Sequence, residues 1–516
     1  MLRTISRVRD AVTDEPPPSP GAVQGAGEGL ARTAAAGAVW SIAQNLLTRV
    51  TAFATVLILA RLLSPADFGI VTIAATLIPI LQVLADLGIT VYVLQHPAPT
   101  KLIYHTYFWA SSSIALVGGF VLFFSAPHIA QLFGEPSAGP VMQGLAPTAL
   151  LVTLGAVPQT ILRRQLRFQA IAVQSAIAAV VSQAVAIAAA LSGFGVWSLV
   201  LQTLTLQFLA TLLAWIVSRY RPAFQFSWSE LIVMVRFGGH YVISTGIQTA
   251  AQLLINFIIT ATLGVTALGY LNIVQRLTRV VTDVVLSTIL QVSTVAFAMI
   301  RDSVERLRSG YLRSFSTMYA LLVPLMVFIA ASAPHLVPFV YGSQWEASIP
   351  PGQVLAIAAV FLVDALDHAL YAGIGKPRLW TLYALYSSIL LVAATWIGSI
   401  WGLESVVVAG LAANVVVTLI RWFVTARELQ TSWWTVIARF SQVGIPGAAA
   451  AGAGYLVVSL TAGLPDLVGI ILVGVAVMGV YIPIFRLTAT TTWIELEGLV
   501  RHAARRIVRR GSPTSS

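Results

Sequence analysis

The sequence contains no cysteine, so disulfide bonds, thiol redox chemistry and cysteine-ligated metal sites are excluded. Charged side chains are also scarce: they make up 9% of the 516 residues, whereas soluble domains average roughly 25%. A chain of this length with so little charge cannot cover a water-facing surface of its own size, and a soluble enzyme is therefore excluded. Hydrophobic residues, by contrast, make up 58% of the chain.

Apolar residues occur in runs of about 20, the length at which a helix crosses the ~30 Å hydrocarbon layer of a bilayer. The pattern predicts an all-α polytopic membrane protein with about fourteen transmembrane helices. The predicted segments are 34–60, 68–94, 104–126, 141–161, 169–191, 194–218, 237–262, 267–298, 314–334, 350–373, 378–399, 404–425, 436–460 and 467–487. The loops between them are short, so a catalytic domain outside the bilayer has no place in the chain.

The two ends of the chain are basic and differ from the apolar segments. Residues 1–33 begin with scattered arginines, a proline run and a Gly/Ala-rich stretch, with no apolar core directly after the arginines. This composition predicts a disordered cytoplasmic tail and not a cleaved signal peptide. Residues 488–516 alternate apolar residues with arginines, which predicts an amphipathic helix on the inner leaflet, with topology anchoring as its simplest role.

Lysine and arginine fall mainly in loops that share one side of the membrane. With the N-terminus in the cytoplasm, 26 of the 30 basic residues lie in cytoplasmic segments. Arg49, Arg276 and Arg279 fall within predicted helices, and Arg61 alone faces outside. The positive-inside rule therefore predicts that both termini are cytoplasmic. Topology and anionic lipid also explain the net charge of +11, so no nucleic-acid partner is expected.

An internal repeat is visible when the chain is aligned with itself at an offset of 200 residues. Residues 63–70 (LSPADFGI) then lie over residues 263–270 (LGVTALGY), and each stretch is a tight outer turn between two helices. Six helices separate the copies, and because six is even, both copies insert in the same orientation. The repeat predicts two six-helix lobes, 34–222 and 223–428, related by a pseudo-two-fold axis along the membrane normal. Two further helices follow in residues 429–487.

One stretch of this repeat carries a family resemblance. Residues 59–69 (LARLLSPADFG) resemble the signature of bacterial polysaccharide transporters, and residues 163–168 (RRQLRF) are similar to a second recurrent stretch. These transporters are the O-antigen and exopolysaccharide flippase branch of the multidrug/oligosaccharidyl-lipid/polysaccharide exporter superfamily. The resemblance covers residues 35–487 in helix number, repeat and loop lengths. It implies lobes facing each other across a central cleft, alternating access, and a substrate made of an oligosaccharide on a polyprenyl diphosphate.

The resemblance also implies the cellular setting. The protein is expected in the bacterial inner membrane, surrounded by membrane lipids, with a polysaccharide polymerase and glycosyltransferases of the same pathway as partners. No cofactor and no metal are expected.

Two arginines, Arg49 and Arg276, lie near the predicted midplane, one in each lobe. A cation at that depth costs ~3 kcal/mol on insertion scales, so each arginine needs a reason to be there. Guanidinium groups bind phosphate oxygens in bidentate fashion, so this pair suits a diphosphate. The alternative is a structural ion pair within one lobe. Arg279 is a further candidate contact, although Asp283 follows it by four residues and is its natural partner.

Polar residues follow one side of the first and seventh predicted helices. They are Gln44 and Asn45 beside Arg49 in the first helix, and Ser244, Gln248, Gln252 and Asn256 in the seventh. Spacing by four places the second set on one helical face. Such a face either joins helices, at ~0.6 kcal/mol per hydrogen bond, or forms the wall of a hydrated cleft that binds sugars. We favour the cleft because the face continues for three turns.

Four titratable residues are candidates for coupling transport to an ion. They are Asp86, Asp283, Asp364 and His368. For Asp86, the alternative to a proton or sodium site is an interface residue capped by a loop arginine. Asp364 and His368 are four residues apart and could share a proton, with local pairing as the alternative. At the outer turn, Arg61 and Asp67 predict a salt bridge with no role in transport.

Two other functions remain open at this point. A membrane-embedded polysaccharide polymerase or ligase needs acidic or arginine-bearing outer loops, usually including one long loop, whereas the outer loops here are short. A drug or cation antiporter of the same superfamily needs carboxylates in the cleft without mid-membrane arginines, and this chain has the reverse. The sequence therefore favours a flippase for a lipid-linked glycan and not an enzyme.

Overall fold

The computed structural model describes residues 51–52, 54–300, 303–461 and 463–498, and this part of the chain contains helices and no strands. Residues 54–62 are helical. The helices that follow are α1 (Pro65–Thr76), α2 (Ile78–Asp86), α3 (Ile89–Gln95), α4 (Lys101–Leu132), α5 (Ala138–Leu145), α6 (Pro147–Arg164), α7 (Phe168–Leu191), α8 (Trp197–Ser218), α9 (Trp228–Leu263), α10 (Val265–Met299), α11 (Val304–Tyr341), a 3₁₀ turn (Ser343–Ser348), α12 (Ile349–Phe361), α13 (Ala365–Gly373), α14 (Pro377–Ser399), α15 (Leu403–Glu428), α16 (Trp433–Leu460) and α17 (Asp466–Thr488).

Twelve helical stretches in the described residues are long and apolar enough to cross a membrane. The 35-residue helix α10 is not one of them, and it carries Arg276, Arg279 and Asp283. Most of the first predicted segment, 34–60, lies outside the described residues. The all-α, polytopic class is thus confirmed, whereas the number fourteen stays a prediction.

Several membrane helices are interrupted part-way along their length. The second predicted segment is divided into α1, α2 and α3, and Leu87 (φ 48°) and Gly88 (φ 72°) at its second break adopt left-handed backbone conformations. The tenth predicted segment is divided into α12 and α13 around residues 362–364. Interrupted helices at membrane depth are tolerated where they are buried in protein or line a cavity, so the breaks indicate where to look for a site.

The helices form two groups. In the first group α8 packs on α6 and α7, and α4 packs on α5 and α6. In the second group α9 packs on α14, α11 on α12, and α14 on α15. The last two helices, α16 and α17, pack on each other and on α11, so they belong to the outside of the second lobe. The exact boundaries predicted for the lobes stay predictions.

The two lobes meet at the two copies of the repeat, where α1 crosses α10. A Cβ atom on Gly69 would lie 2.0 Å from the carbonyl oxygen of Val265, and one on Gly269 would lie 1.9 Å from that of Pro65. Residues 65 and 265, like 69 and 269, are related by the offset of the repeat, so the contact is reciprocal. A reciprocal contact is what a two-fold axis between the lobes produces.

Two names describe the ends of the molecule. The turn face is the end that carries residues 63–65 and 263–265. The basic face is the opposite end, with the loops 96–100, 165–167 and 219–227, which the sequence predicts to be cytoplasmic.

Candidate functional site: a polar cavity between the lobes

A cavity of about 380 Å³ lies between the lobes, on the basic-face side of the α1–α10 crossing. The first lobe contributes residues of α2, α3, α4 and α6, and the second contributes Tyr241, Thr245 and Thr249 of α9. A second cavity of about 510 Å³ lies within the first lobe and shares Thr90, Val152 and Ala156 with the first one. In the interlobe cavity, hydroxyl groups, one amide (Gln82) and one carboxylate (Asp86) lie among apolar side chains, so a ligand there meets both hydrogen-bonding and apolar groups.

Asp86 is the carboxylate in the lining of the interlobe cavity. It is half-buried at the end of α2 and accepts hydrogen bonds from the Tyr107 hydroxyl at 2.9 Å, the Thr90 backbone N–H at 3.3 Å and the Thr90 hydroxyl. The break at Leu87–Gly88 makes this possible, because it turns Thr90 back towards the carboxylate. Among the described residues, hydroxyl groups rather than the expected loop arginine cap Asp86.

Arg164, the last residue of α6, does not pair with Asp86 but binds backbone carbonyls. Its guanidinium donates to four backbone carbonyls, those of Val93 (2.8 Å), Leu94 (3.2 Å), His96 (2.6 Å) and Pro97 (3.1 Å). These carbonyls end α3 and have no helical partners of their own. Arg164 therefore fixes the loop after α3.

The lobes touch a second time next to the cavity, where Gly88 faces Gly238 of α9. A Cβ atom on Gly88 would lie 2.5 Å from the Gly238 Cα, and one on Gly238 would lie 2.6 Å from the Gly88 Cα. Backbone therefore lies directly against backbone at this point. The cavity is bounded by the α1–α10 contact towards the turn face and by this glycine pair towards the basic face, because Gly238 is nearer the start of α9 than the cavity residues of that helix.

Arg276 lies on α10 at the interface of the lobes. It is half-buried, its Nε donates to the Asn272 side-chain oxygen at 2.9 Å, and its guanidinium carbon is 5.6 Å from the centre of the Phe68 ring of the first lobe. The cation thus lies over an aromatic face, an attractive arrangement. Arg279, one turn further, is exposed. Asp283 is half-buried and has an interaction partner, and its pairing with Arg279 stays a prediction.

The polar face predicted on the seventh helix divides between two roles. Gln248 and Gln252 are exposed, whereas Ser244 and Asn256 are buried. Asn256 donates to the Thr76 hydroxyl of the first lobe at 2.8 Å and accepts from Gln252 at 2.9 Å. The end of the polar face at Asn256 therefore joins the two lobes. The cavity is lined instead by Thr245 and Thr249, which lie one residue further along the same helix.

The remaining predicted substrate residues, Gln44, Asn45 and Arg49, lie outside the described residues. Their place in the cleft, and with it the pairing of Arg49 and Arg276, stays a prediction.

The acidic cluster of the tenth segment forms two separate contacts at the break between α12 and α13. Asp364 accepts from the Tyr383 hydroxyl at 2.9 Å, while the exposed His368 ring stacks on Trp380, with 4.2 Å between the ring centres. The side chains of Asp364 and His368, both in the described part of the chain, are thus each engaged with a different aromatic residue of α14. Asp367 points elsewhere and is buried.

Asp367 forms an ion pair with Arg421 of α15, with 3.1 Å between the carboxylate oxygen and Nε. Arg421 is 1% exposed, although the sequence assigned it to a cytoplasmic segment. Asp367 also accepts from the Tyr311 and Thr425 hydroxyls, at 2.6 and 2.7 Å. Hydropathy alone could not locate this pair, because nothing near residue 421 in the chain signals a partner on another helix.

The prediction of a salt bridge between Arg61 and Asp67 is wrong. Asp67 accepts from the Ser64 backbone N–H at 2.9 Å, while Ser64 accepts from the Asp67 N–H at 3.2 Å, which is a capping box at the start of α1. Arg61 donates instead to the Phe339 carbonyl of the second lobe at 2.8 Å. The spacing of Ser64 and Asp67 by three residues was the signal that could have revealed the cap.

A polytopic, all-helical protein with two repeat-related lobes and a polar cavity between them has the architecture of a membrane transporter. Two solved structures share this fold. The lipid II flippase MurJ in an inward closed conformation aligns with a TM-score of 0.70 and 15% identity, over 87% of this chain and 98% of that one. A multidrug resistance MATE family transporter of the MOP superfamily, in an inward-facing conformation, aligns with a TM-score of 0.62 and 16% identity, over 76% of this chain and 98% of that one.

The sequence itself is similar to two known proteins, one of succinoglycan biosynthesis transport and one of lipopolysaccharide biosynthesis. The succinoglycan biosynthesis transport protein ExoT of Rhizobium meliloti (strain 1021) is 29% identical over 72% of this chain and 76% of its own length. The lipopolysaccharide biosynthesis protein WzxC of Escherichia coli (strain K12) is 21% identical over 76% and 81%. The family model described as polysaccharide biosynthesis protein matches residues 58–350, more than half of the chain, and the protein belongs to this family. The resemblance found in the sequence is thereby confirmed.

Proposed function

We propose that the protein is a flippase that moves a polyprenyl-diphosphate-linked oligosaccharide from the inner to the outer leaflet of the bacterial inner membrane, for cell-surface polysaccharide biosynthesis. It is a transporter and not an enzyme in this proposal, and both termini are cytoplasmic. The observation that carries the proposal is a cavity that is built by both lobes, contains hydroxyl groups and the Asp86 carboxylate, and is closed towards the turn face by the reciprocal contact of Gly69 and Gly269. The names of the similar transporters support the substrate class.

Transport would proceed by alternating access. The glycan enters the cavity from the basic face when contacts such as that between Gly88 and Gly238 open. Hydroxyl groups of the lining then replace part of its hydration, and the polyprenyl chain stays in the bilayer. The lobes then separate at the α1–α10 crossing, and contacts such as that between Gly88 and Gly238 hold the opposite end. The exposed Gln248 and Gln252, with Arg276, Arg279 and the Arg49 region, would contact the glycan and its diphosphate. Glycosyltransferases would supply this substrate, and a polymerase would use it.

The sidedness of the lipid-linked glycan in cells that lack the protein tests this function. Build-up on the cytoplasmic leaflet, out of reach of an external glycan-modifying enzyme, is expected. Unpolymerised units on the outer leaflet would point instead to a membrane-embedded polymerase or ligase. No build-up of any kind would favour a small-molecule antiporter.

We expect Arg276→Ala to reduce the appearance of glycan on the outer leaflet about tenfold or more, since a hydrogen bond to a charged group contributes roughly 1.5–3 kcal/mol. The protein should still reach the membrane, because Arg276 has a neutral partner, Asn272, and no buried counter-charge is stranded. The measurement is the fraction of glycan reached by the external enzyme. Arg378→Ala, an exposed arginine of the basic face, is the matched control. Normal transport by the Arg276 variant would remove this residue from the site.

Of the four ion-coupling candidates, we propose Asp86, because its carboxylate lines the interlobe cavity. Asp86→Asn keeps the shape and the hydroxyl partners but removes the charge. Transport by this variant should fall several-fold and lose its response to an imposed proton or sodium gradient, measured as glycan flipping in vesicles of defined internal and external ion composition. Asp364→Asn is the control within the second lobe. An unchanged gradient response in Asp86→Asn would rule out Asp86 as the coupling group.

A further inference from the structure

The basic face of the first lobe contains a third pocket, of about 800 Å³, which has no part in the transport path described above. It lies among the loop before α4, the start of α4, the end of α6, the end of α8 and the loop 219–227. Its lining contains four cations, Lys101, Arg164, Arg219 and Arg221, and no carboxylate. All lining residues come from positions 99–225, that is, from the first lobe and the loop 219–227 before α9, so no helix of the second lobe contributes and the pocket does not lie in the cleft.

The pocket is preformed, because the loop that closes it is hydrogen-bonded to α4. Trp109 donates to the Ala223 carbonyl at 2.9 Å, and the Ala223 N–H donates to His105 at 3.3 Å. The Tyr220 hydroxyl contacts His105 at 3.0 Å, and the Ser227 N–H donates to Thr106 at 3.1 Å. Burial raises the pKa of the Tyr220 phenol above its ordinary value, so this hydroxyl stays neutral.

Three of the four cations are available for a ligand. Arg164 is occupied with backbone carbonyls, whereas Lys101, Arg219 and Arg221 are exposed and form no ion pair with an acid among the described residues. Lys101 is the first residue of the 32-residue helix α4, whose N-terminus adds positive potential. Three unpaired cations around one preformed pocket favour a ligand with a phosphate group.

The same loop places the pocket at the depth of lipid headgroups. Phe224 is 92% exposed and Trp228 is 70% exposed, and Phe226 between them is also exposed. Phe224 stacks on Trp109, with 4.8 Å between the rings. Exposed aromatic rings beside basic residues at the ends of membrane helices are typical of the boundary between bilayer and water. Basic pockets between helices on this side of a membrane bind anionic headgroups.

We propose that this pocket binds the headgroup phosphate of an anionic phospholipid of the cytoplasmic leaflet. The phosphate lies among Lys101, Arg219 and Arg221, while the acyl chains lie beside the aromatic side chains of residues 224–228. This lipid is not the transported substrate, since the pocket is separate from the interlobe cavity. The proposal does not depend on the proposed function.

The test compares two triple variants of the full-length protein. Lys101→Gln/Arg219→Gln/Arg221→Gln removes three charges from the pocket. The control, Arg306→Gln/Arg378→Gln/Arg427→Gln, removes three exposed charges from the basic face of the second lobe. Both should unfold at the temperature of the wild-type protein, because the residues replaced in the pocket are exposed and Arg164 is kept.

Phosphatidylglycerol binding is measured by native mass spectrometry of the protein titrated in a phosphatidylcholine background. A basic residue near an anionic surface contributes about 1 kcal/mol, or about fivefold in affinity. Wild-type protein and control should therefore bind phosphatidylglycerol at least about tenfold more tightly than the pocket variant does.

Equal binding by the pocket variant and the control would overturn the proposal, as would an absence of preference over phosphatidylcholine in the wild type. Separate titrations with a polyprenyl diphosphate and with inorganic phosphate identify the source of the phosphate. If either one binds in a pocket-dependent manner while phosphatidylglycerol does not, the phospholipid assignment is wrong.

Discussion

Replacing Gly269 by alanine should abolish most of the transport activity while leaving a folded protein in the membrane. The added Cβ would lie 1.9 Å from the Pro65 carbonyl oxygen, which belongs to the backbone and cannot rotate away. The helices α1 and α10 must therefore separate, and the closed turn face is destabilised. Overpacking of this kind costs about 1–3 kcal/mol, a five- to 150-fold change in the population of two states. Because the contact is reciprocal, Gly69→Ala should have the same effect.

The absence of cysteine from the sequence makes this shift directly measurable. Leu268 lies in α10 beside the contact and is 3% exposed, so a single Leu268→Cys should react slowly with a membrane-impermeant maleimide applied from outside. Labelling should become at least several-fold faster when Gly269→Ala or Gly69→Ala is added. Gly410→Ala in α15 is the control, because its added Cβ has open space around it. Normal transport with a still protected cysteine would show that the glycine contact is not a gate.

Arg421→Met should produce the largest loss of stability among single substitutions of basic residues. The guanidinium is 1% exposed and is paired with the buried Asp367, and its removal leaves a carboxylate without a counter-charge inside the protein. Breaking a buried ion pair in this way costs about 3–5 kcal/mol. We expect a clearly lower unfolding temperature in detergent and a reduced amount of protein in the membrane.

Two further variants separate charge stranding from simple loss of packing. Arg427→Met, an exposed residue two turns closer to the end of α15, should unfold at the wild-type temperature. Arg421→Met combined with Asp367→Leu removes both charges and should recover much of the lost stability, although Tyr311 and Thr425 lose their acceptor. A double variant less stable than Arg421→Met alone would contradict the view that the stranded carboxylate causes the damage.

The outcome for particular residues shows where reasoning from the sequence succeeds. The runs of apolar residues led to the all-helical membrane class, because the thickness of the bilayer imposes one length on every spanning helix. The offset of 200 residues predicted that the two outer turns are equivalent, and the structure adds that they meet, with Gly69 against Val265 and Gly269 against Pro65. Arg276 lies at the lobe interface and Asp86 lines the cavity, and the roles in transport predicted for both stay predictions.

The failures concern partners that are distant in the chain. Arg61 was expected to bind Asp67, but it donates to Phe339, 278 residues away. Arg421 was counted among the cytoplasmic basic residues, but it is buried against Asp367 within the second lobe. Thr245 and Thr249 line the cavity in place of part of the predicted face of the same helix.

The sequence by itself thus determined the membrane class, the repeat and the family, because these depend on hydropathy, periodicity and local motifs that are read along the chain. Only the tertiary structure decided which polar groups of neighbouring helices meet, since the rotation of each helix about its axis depends on packing against the others. Arg421 illustrates the difference: its burial and its carboxylate partner follow from how α15 packs against α12 and α14, which brings Arg421 to Asp367 of α13. No pattern within the chain encodes that arrangement.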